Sequence, residues 1–167
     1  MGLGEFYTTD GHGKVRQLGR SDSGWRDSWT QIVAGNFGGA TTPDYTDLLF
    51  YDKSKKELQF YKTDGKGNIK PLSTIGLPRP GSTLIPSQIV AGNFGATPFT
   101  DLLFYDADKG RGEFYTTDGQ GKLTRLGDTI GLPMNSSQIV AGNFGPTPRD
   151  GDTPPKDFTD LLFYKRP

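Results

Sequence analysis

Two tryptophans, Trp25 and Trp29, bracket Arg26 and Asp27 in the segment Ser-Gly-Trp-Arg-Asp-Ser-Trp-Thr-Gln. An indole offers a flat apolar face to the C–H side of a sugar ring and an N–H donor to a hydroxyl. With a guanidinium and a carboxylate beside it, this segment has the residue types of a carbohydrate pocket. Related positions further along hold Arg79 with Ser82, and Asn135 with Ser136, all groups that bond hydroxyls. Tyr7, Tyr61 and Tyr115 recur at equal spacing and would add a phenolic hydroxyl to each such place. The competing role for the tryptophans and tyrosines is packing.

Catalytic chemistry finds little to work with. The chain has no cysteine and one histidine, His12, in a turn whose counterparts carry Lys66 and Gln120. Such a residue reads as solvated rather than as a base. No His-Glu-x-x-His, Gly-x-Ser-x-Gly or P-loop pattern occurs, so the chain reads as a non-enzyme with no catalytic residue. Lys+Arg and Asp+Glu both number 19. A formal charge of zero leaves no electrostatic case for nucleic acid or an anionic membrane surface. No run approaches the roughly 18 apolar residues of a membrane span. The N-terminus enters a repeated block almost at once, leaving no room for a signal peptide.

The elements that would position these residues are repeats. Gln-Ile-Val-Ala-Gly-Asn-Phe-Gly occurs unchanged at Gln31–Gly38, Gln88–Gly95 and Gln138–Gly145, each followed by Thr-Asp-Leu-Leu-Phe-Tyr at Thr46, Thr100 and Thr159. A third block, Phe-Tyr-x-Thr-Asp-Gly, starts at Phe6, Phe60 and Phe114, a period of 54 residues. The 24 glycines and 12 prolines favour short strands and tight turns, and no window has helical apolar spacing. One repeat reads as four strands, at Gln31–Phe37, Thr46–Tyr51, Leu58–Thr63 and Ile69–Leu72, the last two joined by an Asp-Gly-x-Gly hairpin. The first two are apolar throughout rather than alternating, which suits strands covered on both faces. Four-stranded sheets packed face to face around an axis meet that demand, so the predicted fold is an all-β propeller.

The pattern Ile-Val-Ala-Gly-Asn-Phe-Gly, a loop, then Thr-Asp-Leu-Leu-Phe-Tyr-Asp resembles the FG-GAP type of β-propeller repeat over essentially the whole chain. It looks especially like bacterial repeats that read Asp-Leu-Leu-Phe-Tyr-Asp…Gly-Glu-Phe-Tyr-Thr-Thr-Asp-Gly, and the family includes propeller lectins. The resemblance implies that the Gln31-type strand is innermost in its blade and the strand after the hairpin outermost. It also implies a loop able to hold calcium through spaced Asp and Asn oxygens. The first two loops lack those carboxylates; only Asp150, Asp152, Asp157 and Asp160 offer a degenerate set, interrupted by prolines. Asn36, Asn93 and Asn143, with Asp47, Asp101 and Asp160, are better read as holding the turn itself.

On this reading residues 1–30 form a half-blade, 31–87 and 88–137 form blades, and 138–167 form the complementary half-blade. Three blade equivalents fall short of the usual four to eight, so a homodimer closing six blades is expected. A β-trefoil, also three repeats of four strands, is the alternative. Glycans are the expected partners, bound multivalently between blades; a non-catalytic interaction or structural module is the other function the sequence allows.

Overall fold

The computed structural model describes residues 2–21, 25–38, 45–145 and 158–166, and among them the chain is built from strands with no helix. The strands are β1 (Gly4–Thr9), β2 (Val15–Ser21), β3 (Gln31–Gly35), β4 (Asp47–Asp52), β5 (Glu57–Thr63), β6 (Ile69–Gly76), β7 (Gln88–Gly92), β8 (Asp101–Asp106), β9 (Arg111–Thr117), β10 (Leu123–Ile130), β11 (Gln138–Gly142) and β12 (Asp160–Tyr164). Two four-stranded antiparallel sheets, β3-β4-β5-β6 and β7-β8-β9-β10, lie between two-stranded sheets β1-β2 and β11-β12. The ladder is the same each time: Gln31 faces Tyr51, Gln88 faces Tyr105 and Gln138 faces Tyr164.

The hairpins explain the Asp-Gly-x-Gly repeat. Asp64 Oδ1 accepts the amides of Lys66 and Asn68 at 2.8 and 3.0 Å, while Gly65 and Gly67 take φ of 69° and 90°, a region that penalises any Cβ. Hydrogen bonds from the Asn68 side chain, then from the Lys66 and Asn68 amides, hold the Asp64 carboxyl below its ordinary pKa. Asp10 serves the amides of His12 and Lys14 in the same way, so His12 is an exposed turn residue. The fourth strand runs further than its sequence implies, to Gly76. A bulge between Phe60 and Tyr61 restores the pairing and delivers Ile75 to the core.

The second strands β4 and β8 are buried on both faces, as their unbroken apolar character requires, while β12, of the same sequence, is not. Every residue of β8 is buried. Leu49 and Tyr51 look one way, with Leu102 and Phe104 opposite them in one cluster that includes Leu58, Phe60, Ile89 and Tyr115. Phe50 looks the other way, against Trp25, Trp29 and Tyr61. Each such side chain contributes about 1.5–3 kcal/mol on full burial.

The first strands of successive sheets adjoin, β3 beside β7 and β7 beside β11. Two polar clasps hold the β3–β7 junction, and the second of them repeats at β7–β11, where Gln88 donates to the Ser136 carbonyl instead. The Gln31 side chain donates to the Ile89 carbonyl at 2.7 Å and accepts its amide at 2.9 Å. The Asn36 amide donates to Thr100 Oγ1 at 2.8 Å while the Thr100 amide donates to the Asn36 carbonyl; Asn93 and Thr159 repeat both bonds. Gly35 and Gly92 allow the approach, since a Cβ there would lie 2.8 and 3.0 Å from the threonine methyls.

Candidate functional site

The predicted residues gather where a loop leaving one sheet falls across the third strand of the next. That strand carries a polar residue two positions before its tyrosine, on the same face by the strand period: Glu5 with Tyr7, Gln59 with Tyr61, Glu113 with Tyr115. The tyrosine hydroxyl donates to this neighbour each time, at 3.3, 2.7 and 2.7 Å.

Over β5 the incoming segment is Trp25–Thr30. Arg26 donates to Glu57 at 2.6 Å, and Gln59 donates to the same oxygen at 2.9 Å. The Arg26 guanidinium lies 4.7 Å from the centre of the Trp29 ring, a cation–π distance. Arg26 and Trp29 are half-buried and Asp27 is exposed. Trp25 does something different. Its indole is wedged between Phe6 and Phe50 and fills the slot left by Gly4, where a Cβ would sit 1.8 Å from Cζ2. Its Nε1 is buried with no acceptor among the described residues. Trp25 is thus a packing residue, and Trp29 is the indole presented with polar company.

Ser28 donates to the buried Asp52 at 2.5 Å, and Ser54 donates at 2.6 Å. Burial pushes the Asp52 carboxyl up, but these two hydroxyls and the Lys55 amide outweigh it and bring its pKa down to about 2. Burial first, then the Asp52 charge, raises Tyr51 to about 12. Burial likewise raises Tyr61 and Tyr115, the latter helped by its bond to Glu113. These phenols are neutral donors, with no nucleophile among them.

Over β9 the incoming segment is Leu77–Ser87. Ser82 donates to Glu113 at 2.8 Å. Glu113 is fully buried and also meets Arg111 at 2.6 Å and Arg125 at 3.7 Å. Arg79 reaches the Leu123 carbonyl at 3.5 Å. The third segment is residues 131–137, between β10 and β11. Ser136 is buried and donates to the Pro133 carbonyl, and Asn135 beside it is exposed with φ of 56°. Among the described residues no third strand joins the β11-β12 sheet beneath it, and Tyr7 is far along the chain, 53% exposed on β1. Two of the three predicted clusters are therefore assembled within the chain.

Sequence reading missed Glu57, Gln59, Arg111, Glu113 and Arg125. The signal for Gln59 and Glu113 was the polar residue two before each tyrosine, on the same strand face. The aspartates expected to hold the turn do so: Asp47 accepts the Phe37 amide at 3.1 Å, Asp101 those of Phe94 and Gly95, and Asp160 those of Phe144 and Gly145; the Asn36 Oδ1, expected to share that task, is buried with no donor to it among the described residues. Carboxylates committed to backbone amides are poor cation ligands. No group of His, Asp or Glu suited to a metal occurs among the described residues; Asp150, Asp152 and Asp157 lie outside them. A separate groove of about 570 Å³, lined by Ala34, Ala91, Asn93, Thr97 and Phe99, opens at the β3–β7 junction. Comparison with protein-family models, with curated proteins and with solved structures found no match.

Proposed function

We propose that this chain is a carbohydrate-binding β-propeller module of the FG-GAP type, with its sugar sites where a loop crosses the third strand of the following blade. The observation that carries the reading is the half-exposed Arg26–Trp29 stack set over Glu57, Gln59 and Tyr61. It combines an aromatic surface with donors and acceptors converging on one spot, the composition a sugar needs. A second cluster, Ser82 over Glu113 and Tyr115, repeats the arrangement on the next sheet. Face-to-face sheets whose first strands adjoin support the propeller over the trefoil. Weak sugar sites repeated on a rigid body gain strength through avidity.

A glycan array probed with the labelled chain tests this reading. Signal is expected, and Trp29→Ala or Arg26→Ala should remove at least the share due to the first cluster while the far-ultraviolet circular dichroism stays unchanged. Silence across a broad array overturns it. The second reading is a protein-interaction or structural module. It is favoured by the degree to which the second cluster satisfies itself, Glu113 being fully buried under Ser82, Arg111 and Tyr115. A stable protein complex recovered from native extract and indifferent to added sugars would select it.

A further inference from the structure

We propose that two copies of this chain close on each other edge to edge, the free edge of β12 in each copy pairing with the free edge of β1 in the other. The template is inside the molecule. The strands β4 and β8 read Asp-Leu-Leu-Phe-Tyr-Asp, and each pairs on its far side with a third strand; β12 reads Asp-Leu-Leu-Phe-Tyr and has no such neighbour among the described residues. The missing partner, to judge from β9, is a strand reading Gly-Glu-Phe-Tyr-Thr-Thr. That is the sequence of β1, which itself lacks a second strand. Leu103 faces Phe114 and Leu102 faces Tyr115 in the intact sheet. The same register sets Leu162 opposite Phe6 of the second copy and Leu161 opposite its Tyr7.

Burial and hydrogen bonding both report the vacancy in this pairing. Leu49 and Leu103 are fully buried, whereas Leu162 is 52% exposed. Asp47 serves the Phe37 amide with Oδ2 and the Thr63 amide with Oδ1. Asp160 serves Phe144 and Gly145 with Oδ2, leaving Oδ1 for the amide of Thr9 from the second copy.

The first strands tell the same story from the other side of the seam. Ile89 is 1% exposed under its clasp with Gln31, but Ile32 is 48% exposed and Gln138 is exposed, the residues that correspond to them across the proposed seam. Thr46 is likewise exposed, as is Asn143, where Thr100 and Thr159 are engaged.

At the outer end, each hairpin docks on the preceding sheet. A Cβ at Gly19 would lie 2.5 Å from the Lys66 carbonyl, and one at Gly121 would lie 2.2 Å from Ser73 Oγ. Gly127 and Gly13, the matching halves of the third such contact, each face open space. Beside Gly127 lies a groove of about 510 Å³ lined by Phe94, Phe114, Leu126, Phe158 and Leu161, room for the Phe6 end of the second copy's hairpin.

Each copy owns one edge of each kind, a head-to-tail pairing that closes when the rotation per copy completes the circle; with two copies it makes two equivalent seams. The ring holds six sheets, within the four-to-eight range of such architectures.

Native mass spectrometry and light scattering on this chain should give twice 18.2 kDa. Gly127→Trp should return the mass to a single copy with unchanged circular dichroism, because the substituted position meets nothing within 4 Å in one copy. Phe6→Cys combined with Leu162→Cys, in a chain that has no cysteine of its own, should give a covalent dimer on oxidation; Phe6→Cys with Leu161→Cys should not. A single-copy mass across dilution, a ladder of larger masses, or a Gly127→Trp variant that keeps the double mass overturns the proposal. These readouts do not involve sugar, so a silent glycan array leaves the pairing standing, and a monomer mass leaves the array result to be judged by itself.

Discussion

The strands β1 and β9 share the hexapeptide Gly-Glu-Phe-Tyr-Thr-Thr, yet they live in opposite environments. Tyr7 is 53% exposed where Tyr115 is 2% exposed, and Glu5 is exposed where Glu113 is fully buried. The backbone is the same, with a bulge after the Phe in both ladders. The difference lies in the neighbours. β9 has β8 along one edge, Leu77–Ser87 across its face, and Arg111 and Arg125 around its carboxylate. β1 has β2 and the indole of Trp25. Strand formation is thus a local property of this hexapeptide, and burial is conferred by what arrives from elsewhere.

The sharpest way to break this comparison is to truncate both tyrosines. Tyr115→Ala should lower stability by about 3–5 kcal/mol, the cost of a large core truncation, in urea unfolding at any protein concentration. Tyr7→Ala, measured in the Gly127→Trp background that should keep copies apart, should remain within about 0.5 kcal/mol. Equal losses would show that the two strands are not differently placed. The carboxylates come next. Glu113→Ala strands Arg111, Ser82 and the Tyr115 hydroxyl and should lose about 3 kcal/mol; Glu5→Ala in the same background should lose almost nothing.

Glycines give a smaller contrast. Gly19→Ala forces a methyl against the Lys66 carbonyl and should cost about 1–3 kcal/mol. The weakest effect appears only in acid. Asp52 has its folded pKa depressed to about 2, below the ordinary value of about 3.9. Its contribution is therefore complete above about pH 4 and is lost as the pH falls toward 2. Asp52→Asn should flatten the stability curve in that window; an unchanged acid slope would remove the carboxylate from the account.

Much of the fold was legible because the repeats wrote it three times. The unbroken apolar character of Leu-Leu-Phe-Tyr announced two covered faces, and β4 and β8 have them. The Asp-Gly-x-Gly turns announced their hairpins. The candidate clusters were half legible. Loop residues such as Arg26 and Ser82 stood out because they vary against a constant frame. Their strand partners did not, since Glu57 and Glu113 sit in alternating polar positions that read as solvent-facing. Glu113 is buried only because a distant segment folds over it, and that is tertiary information. Trp25 misled for the same reason: the slot it fills exists because Gly4, far behind it in sequence, has no side chain.

The carboxylates of Asp47, Asp101 and Asp160 each reach back to the amides that open the preceding loop. A loop cinched at its base by its own aspartate puts little demand on what lies beyond the knot. The three intervals between Gly-Asn-Phe-Gly and Thr-Asp already differ in length, and the entropy of a longer excursion grows only slowly with its size. These intervals are natural places to graft foreign peptides, since each graft would start and end at a knot its own aspartate ties.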